Sequence, residues 1–160
     1  MIGEELERYP KEGERISAAG HEFGNHSYSH DGMVLVSGDF VGNEVEETDR
    51  LIRKDRVRGR DTLSSPYGKK FLALPHFLYE TGRTTIMWDV EPESYPEIEA
   101  DSEKITAHVL DNAEPGSIVL LHPMYDRREE TREAIQLIIR GLKQNGNRFV
   151  TVSKLLEGAD

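Results

Sequence analysis

Two histidines four residues apart carry the clearest chemical signal in the sequence. His26 and His30 follow a short apolar segment that ends at Asn25. Residues four apart on one helical turn point the same way, so the spacing predicts that both imidazoles converge on one ion. Imidazole nitrogen is the commonest protein ligand for zinc and also suits other late first-row metals such as cobalt and nickel. We therefore predict a divalent metal site with zinc as first candidate; two ordinary surface histidines are the alternative.

Other polar side chains follow predicted strands further along the chain. The segment 65–67 follows a weak strand, Asp89 and Glu91 lie at the end of a clear strand, and His122 follows an apolar one. In parallel α/β folds the chemistry lies at the carboxyl ends of the strands. Polar residues at four strand ends therefore predict one active-site mouth.

The elements that position these residues alternate between helix and strand. Helical patterns cover 4–19, 40–54, 70–80 (interrupted by Pro75), 101–113, 128–144 and a last short segment capped by Ser153. Strand patterns cover 23–25, 61–65, 83–90, 117–121 and 148–152. In the first helix Leu6, Ile16 and Ala19 are expected to face the core, and the apolar run 117–121 predicts a strand buried on both faces. The alternation predicts one α/β domain over residues 1–160, with a parallel sheet or barrel wrapped by helices.

Composition excludes several classes of protein. The 160 residues carry a net charge of -10, which argues against a general nucleic-acid binder and against docking to an anionic membrane. The absence of cysteine excludes disulfides and thiolate metal sites. Residues 1–20 have the pattern of a charged amphipathic helix rather than of a signal peptide, so the chain as it stands would be cytoplasmic. The sequence leaves the cellular compartment of the protein open.

The motifs together resemble those of the polysaccharide deacetylase family (carbohydrate esterase family four). The family motif H-[ST]-x-x-H is matched at residues 26–30, and its L-x-H motif at residues 120–122. Its R-P-P-Y-G motif is similar to residues 64–68, and its Trp followed by D-x-x-D-W is similar to residues 88–95. The resemblance extends from Glu4 to Leu156. It implies a distorted (β/α) barrel that removes acetyl groups from sugars with a divalent metal.

The resemblance also implies roles for individual residues. His26 and His30 bind the metal, a backbone N–H near Tyr67 helps to hold the oxyanion, and His122 protonates the leaving amine. Residues that line the substrate site are Pro66, Trp88 and Glu91. Core packing is the alternative for the aromatic residues, and a buried structural histidine is the alternative for His122.

The sequence departs from the family at the motif T-F-D-D-G, whose aspartates supply the catalytic base and the third metal ligand. No Asp-Asp pair occurs in the 160 residues, Ser64 stands where the third motif has Arg, and Glu91 and Ser94 stand where aspartates are usual. The departure predicts an incomplete barrel that lacks its first strands. Either a second copy of the chain, in a homodimer, or the N-terminal helix is expected to cover the open edge. Asp31 is a candidate substitute for the lost carboxylate.

Three functions follow as hypotheses. The first is a metal-dependent hydrolase that removes acetyl groups from an N-acetylated carbohydrate. The second is a catalytically inactive scaffold of the same fold that binds a sugar or a partner, which the missing aspartates favour. The third is an amide or imide hydrolase of the same superfamily with a substrate other than a sugar.

Overall fold

The computed structural model describes residues 1–54, 59–64, 72–125 and 127–158. The chain divides into two compact units. Unit 1 comprises Met1–Met87 together with Thr151–Asp160, and unit 2 comprises Trp88–Val150.

Unit 1 contains a parallel three-stranded sheet with the strand order β1-β2-β3. The strands are β1 (Phe23–Asn25), β2 (Gly59–Leu63) and β3 (Thr84–Thr85). Phe23 is paired with Gly59, and Thr62 with Thr84. The predicted parallel α/β architecture is confirmed, and so is the short strand that leads to His26. The strand predicted over 83–90 is shorter than expected.

Five helices belong to unit 1, and they follow the predicted order. They are α1 (Gly3–Arg8), α2 (Pro10–Ala18), α3 (Gly38–Lys54), α4 (Ala73–Glu80) and α7 (Val152–Glu157). Pro75 lies in the first turn of α4, where a missing N–H is tolerated.

The first predicted helix is in fact two, because Pro10 has no N–H to continue α1 and begins α2 instead. Leu6 on α1 is buried as expected. The predicted inward positions of Ile16 and Ala19 are wrong, since both side chains are exposed. The break turns α2 so that Gly13 is its buried residue, and a Cβ there would lie 2.5 Å from Leu6.

Helix α3 packs on the sheet through one largely apolar face. Its buried residues include Val41, Val45, Thr48, Leu51 and Ile52. The first two join Met33, Leu63, Leu74 and Leu78 in one apolar cluster. The last two join Leu6 and Phe23 in a second cluster, against which Tyr28 packs. The strand and turn that carry the two histidines are therefore held between α1 and α3.

Unit 2 contains two helices that pack on each other, α5 (Ser102–Asn112) and α6 (Glu129–Gln144), and a short 3-10 helix (Pro92–Ser94). Asp101 caps α5, because its carboxylate accepts the amides of Glu103 and Lys104. Side chains from α5 and α6 form the apolar cluster of this unit, with Val90 among them.

Two predicted strands differ from expectation. Residues 117–121 are half-buried rather than buried on both faces, and their pairing is a single parallel bridge between Val119 and Val90. No strand is assigned over 148–151, all of which the structure describes, and Phe149 and Val150 are about half exposed. Thr151 rather than Ser153 caps α7, since its side chain accepts the Lys154 amide. Among the described residues, no helix combines the length and the apolar character needed to cross a membrane.

Candidate functional site

The rings of His26 and His30 lie next to each other in the turn that follows β1. Their centroids are 4.9 Å apart and the ring planes are inclined by 48°. The helical turn assumed from the i, i+4 spacing is not present, because residues 26–31 form no helix. The rings instead meet across a turn in which Ser27 (φ 65°) and His30 (φ 66°) adopt left-handed backbone conformations.

The ring of His26 is held by the backbone at the end of β2. Its Nδ1 lies 2.6 Å from the carbonyl oxygen of Ser64. A carbonyl oxygen only accepts, so Nδ1 carries the proton and the lone pair is on Nε2. A histidine fixed in this way has one defined nitrogen with which to bind a metal. Because the contact uses the backbone of residue 64, it does not depend on the arginine that the family has there.

A buried polar network ties the start of the turn to α3. The amide group of Asn25 donates to the Val45 carbonyl and to the Asp49 carboxylate, both at 2.8 Å. Its own Oδ1 accepts the Ser27 amide at 2.9 Å. Asp49 also pairs with Arg83 at 2.5 Å, and both side chains are about nine-tenths buried. The backbone entering the histidine turn is thus fixed by Asn25, whose side chain is itself held by Val45 and Asp49 of α3.

Unit 2 contains a second histidine site, centred on a carboxylate. Nδ1 of His122 lies 2.7 Å from Oε2 of Glu93, and the same oxygen accepts the His122 amide at 2.8 Å. The other oxygen of Glu93 accepts the Thr131 hydroxyl at 2.5 Å, and Arg128 lies 3.9 Å away. The Glu93 side chain is only 3% exposed, whereas that of His122 is 29% exposed.

The charge state of this site follows from its hydrogen bonds. Burial alone would raise the pKa of Glu93, but the hydrogen bonds from Thr131 and His122, with the charge of His122, outweigh it and hold that pKa below its usual value. Glu93 is therefore a carboxylate that accepts the proton of His122 Nδ1. The other ring nitrogen of His122, Nε2, is the one that can give or take a proton.

Trp88 and Glu91, the other predicted site residues of unit 2, lie shortly before Glu93 in the sequence. The indole nitrogen of Trp88 donates to Glu91 at 2.9 Å, so Glu91 holds Trp88 in place. Tyr125 stacks on His122 with centroids 5.5 Å apart and planes only 7° from parallel. Pro66 and Tyr67 lie outside the described residues, and their assignments as substrate-binding and oxyanion residues stay predictions.

The histidine pair offers two metal ligands, and the side chains around it decide whether a third is present. The tautomer of His26 and the adjacent ring of His30 suit two ligands of a zinc, cobalt or nickel ion. Within the part of the chain that the structure describes, no group of three His, Cys, Asp or Glu side chains is placed to hold a metal. Asp31 is exposed and does not complete such a group there.

Glu93 and the side chains that hold the histidine turn were not identified from the sequence. The segment Glu91-Pro92-Glu93 offers two acidic candidates, and the 3-10 helix that begins at Pro92 decides that Glu93 is the one at His122. The role of Asn25 was only weakly indicated by the sequence. It is a polar residue at the end of an apolar strand, directly before His26, and such residues often form hydrogen bonds to nearby backbone groups.

Comparison with known proteins places the chain. The family model for polysaccharide deacetylase matches residues 1–85, and a peptidoglycan-N-acetylglucosamine deacetylase of Bacillus cereus is 32% identical over 156 residues. The chain belongs to the polysaccharide deacetylase family. The chain covers 73% of the length of that B. cereus protein. Another B. cereus protein of the same name is 29% identical over 158 residues, and the chain spans 57% of its length. In both cases 98% of the chain is aligned.

Solved structures of the polysaccharide deacetylase family agree in fold. The peptidoglycan deacetylase PdaC of Bacillus subtilis superimposes with a TM-score of 0.85 at 27% identity, over 98% of this chain and 73% of that one. BA3943 of Bacillus anthracis, described as a CE4 family pseudoenzyme, gives 0.83 at 26% identity, over 97% and 53%. The predicted incomplete barrel of this family is confirmed. Since an enzyme and a pseudoenzyme match equally well, the fold does not decide between activity and inactivity.

Proposed function

We propose that this polysaccharide deacetylase chain takes part in removing the acetyl group from an N-acetylated carbohydrate, with N-acetylglucosamine units as the first substrate class. The observation that carries the proposal is the His26–His30 pair, whose rings are adjacent and whose first member is fixed in one tautomer. The names of the B. cereus relatives support the substrate class.

In this proposal His26 and His30 hold a divalent metal, with zinc as first candidate and cobalt or nickel as alternatives. When bound, such an ion would polarise the acyl oxygen of the substrate and would make a water molecule more acidic. His122 holds a proton at Nε2 and delivers it to the amine nitrogen as the C–N bond breaks, while Glu93 keeps Nδ1 protonated throughout. Trp88, oriented by Glu91, contributes an aromatic surface for a sugar ring.

The test is acetate release from N-acetylglucosamine oligomers by the chain loaded with Zn²⁺ or Co²⁺. The variants are His26→Ala, His122→Ala and, as a control, His21→Ala, because His21 is exposed and belongs to no motif. The proposal expects release that both site variants lose and the control keeps. Unchanged release after His26→Ala would reject it.

A second candidate is an inactive scaffold that binds the sugar without turning it over. It is favoured by one observation, that the described residues place no third metal-binding side chain beside the histidine pair. BA3943, described as a CE4 family pseudoenzyme, is a precedent for an inactive member of the family. Saturable binding of N-acetylglucosamine oligomers, measured by calorimetry, with no acetate released in the presence of metal would select this candidate.

Association into a homodimer across the open edge of the barrel is proposed as well. Light scattering over a hundredfold dilution tests it directly. A mass of twice the 18.2 kDa chain at the higher concentrations supports the dimer. A mass of one chain at every concentration contradicts it.

A further inference from the structure

Glu44 of α3 places one carboxylate oxygen inside the turn that joins His26 to His30. That oxygen, Oε2, accepts the Tyr28 amide at 3.0 Å, the Ser29 amide at 2.9 Å and the Ser29 hydroxyl at 3.0 Å. Glu44 is 8% exposed, although it is an acidic residue of a helix whose neighbouring Glu46 is exposed. A glutamate is rarely buried unless its charge is compensated by hydrogen bonds, so these three contacts explain its position.

The turn needs such an acceptor. Ser27 and His30 both have φ near +65°, a conformation that residues other than glycine adopt only where surrounding contacts hold them. Tyr28 and Ser29 lie between them, and their consecutive amides point at one place. A carboxylate is the side chain best suited to that place, because it only accepts and its hydrogen bonds to N–H groups are strengthened by charge.

The rest of the turn is closed by short-range side-chain contacts. The His30 amide donates to Ser27 Oγ at 3.0 Å, and the Asp31 amide donates to Ser29 Oγ at 3.2 Å. The Ser29 hydroxyl that accepts from Asp31 is the one that donates to Glu44. Glu44 therefore fixes the middle of the turn directly and its end through Ser29, and so sets the backbone from which the His30 ring projects.

We propose that Glu44 is a positioning residue for the histidine pair, and that its carboxylate sets the turn in which the two rings converge. The consequence for metal binding rests on the proposed function. The consequence for the geometry of the turn does not, since it follows from the hydrogen bonds alone. A purely stabilising role for Glu44 would lower the free energy of unfolding without changing the relative placement of the rings.

The experiment compares Glu44→Ala and Glu44→Gln with Glu46→Ala and Glu46→Gln, which make the same changes at an exposed site on the same helix. Three quantities are measured on the whole chain: amide hydrogen exchange at Tyr28 and Ser29, the NMR cross-relaxation between the His26 and His30 rings, and the dissociation constant for Zn²⁺ by competition with a chelating dye. Chemical denaturation of each variant reports its stability separately.

The proposal expects Glu44→Ala to speed exchange at both amides by about tenfold or more, because two charge-assisted hydrogen bonds are lost. The ring-to-ring cross-relaxation should fall, and Zn²⁺ affinity should drop by about 10- to 100-fold, as for other residues that orient metal ligands. Glu44→Gln keeps an acceptor oxygen without its charge and should lie between parent and Glu44→Ala. Both Glu46 variants should match the parent.

Parental exchange and ring proximity in Glu44→Ala would overturn the proposal, even if its stability falls. If Glu44→Ala does not fold, Glu44→Gln decides: a folded variant with faster exchange at Tyr28 and Ser29 supports the proposal, and one with parental exchange and ring proximity overturns it. Failure of the parent to bind Zn²⁺ would contradict the proposed metal site only, and the exchange and ring measurements would still test Glu44.

Discussion

One oxygen of Glu93 binds His122 twice. Oε2 accepts the backbone amide of His122 at 2.8 Å and lies 2.7 Å from its Nδ1. The backbone and the ring of the histidine are therefore fixed by the same buried atom, and the orientation of the imidazole is set relative to its own main chain. The second oxygen of Glu93 is occupied by the Thr131 hydroxyl, so the carboxylate itself cannot rotate freely.

The first prediction concerns the charge of Glu93. Glu93→Gln keeps the shape of the side chain but removes the anion that holds the proton on Nδ1 of His122. In the proposed reaction the rate constant should fall by about 10- to 100-fold, a part of the 10²- to 10⁴-fold that general acid catalysis supplies. The nitrogen-15 shifts of the His122 ring should also change, because the Nδ1 tautomer is no longer enforced.

Glu97→Gln is the matched control, since Glu97 is exposed and its side chain has no contact in the site. Thr131→Val, which removes the hydroxyl from Glu93, should produce a smaller change in the same direction. An unaltered rate and unaltered ring shifts in Glu93→Gln would show that the carboxylate does not orient His122.

The second prediction concerns the buried pair of Asp49 and Arg83. Asp49→Ala should lower the free energy of unfolding by about 3–5 kcal/mol, because it leaves the Arg83 guanidinium buried without its partner. It also removes an acceptor from Asn25. Urea denaturation followed by circular dichroism measures the loss. Arg50→Ala, which breaks the exposed pair with Glu47, should cost less than about 1 kcal/mol, and an equal loss in both variants would refute this ranking.

The third prediction concerns pH and the amino group of Met1. That group is buried and donates to the Gly24 carbonyl at 2.5 Å, and burial lowers its pKa from 8.0 to about 5. Between these values the unfolded chain binds a proton that the folded chain does not, so stability should rise from pH 5 to pH 8. The upper limit of the gain is about 4 kcal/mol.

Chemical acetylation of the Met1 amine is the comparison for this measurement. The acetylated chain carries no titrating amine and should show a flatter dependence of the denaturation midpoint on pH between 5 and 8. Identical slopes with and without acetylation would contradict the assignment of the pH dependence to Met1.

The fourth prediction concerns Gly3, where α1 meets the histidine turn. A Cβ at this position would lie 2.6 Å from Thr48 Oγ1 and 2.7 Å from Tyr28 Cδ2, closer than real Cβ contacts. Gly3→Ala should therefore destabilise the chain by about 1–3 kcal/mol. Gly38→Ala should be neutral within about 0.5 kcal/mol, because nothing lies within 4 Å of its Cβ. Thermal denaturation distinguishes the two, and a Gly3→Ala variant as stable as Gly38→Ala would count against the close packing.

The sequence predicted the helices well because their apolar periodicity is strong. Val41, Val45 and Thr48 recur at helical spacing, and all three are buried on α3. Strand lengths were less predictable. The run 117–121 is apolar throughout, but how much of it is paired and buried depends on which segments lie beside it, and that is a tertiary property.

In the candidate site, too, the features that depend on local sequence were predictable, and those that depend on residues distant in the sequence were not. The types and spacing of His26 and His30 identified the pair, yet the turn that brings their rings together depends on Glu44 and Asn25, which act through the fold. Likewise, the sequence pointed to His122 but not to Glu93 as its partner. That contact depends on the turn of 3-10 helix that begins at Pro92.

We propose that His26 and His30 form part of a metal site, and elemental analysis of the purified and dialysed chain tests this most directly. The control is the double variant His26→Ala/His30→Ala. We predict close to one equivalent of zinc, cobalt or nickel per chain in the parent and none in the variant. No bound metal in the parent, or equal amounts in both proteins, would contradict it.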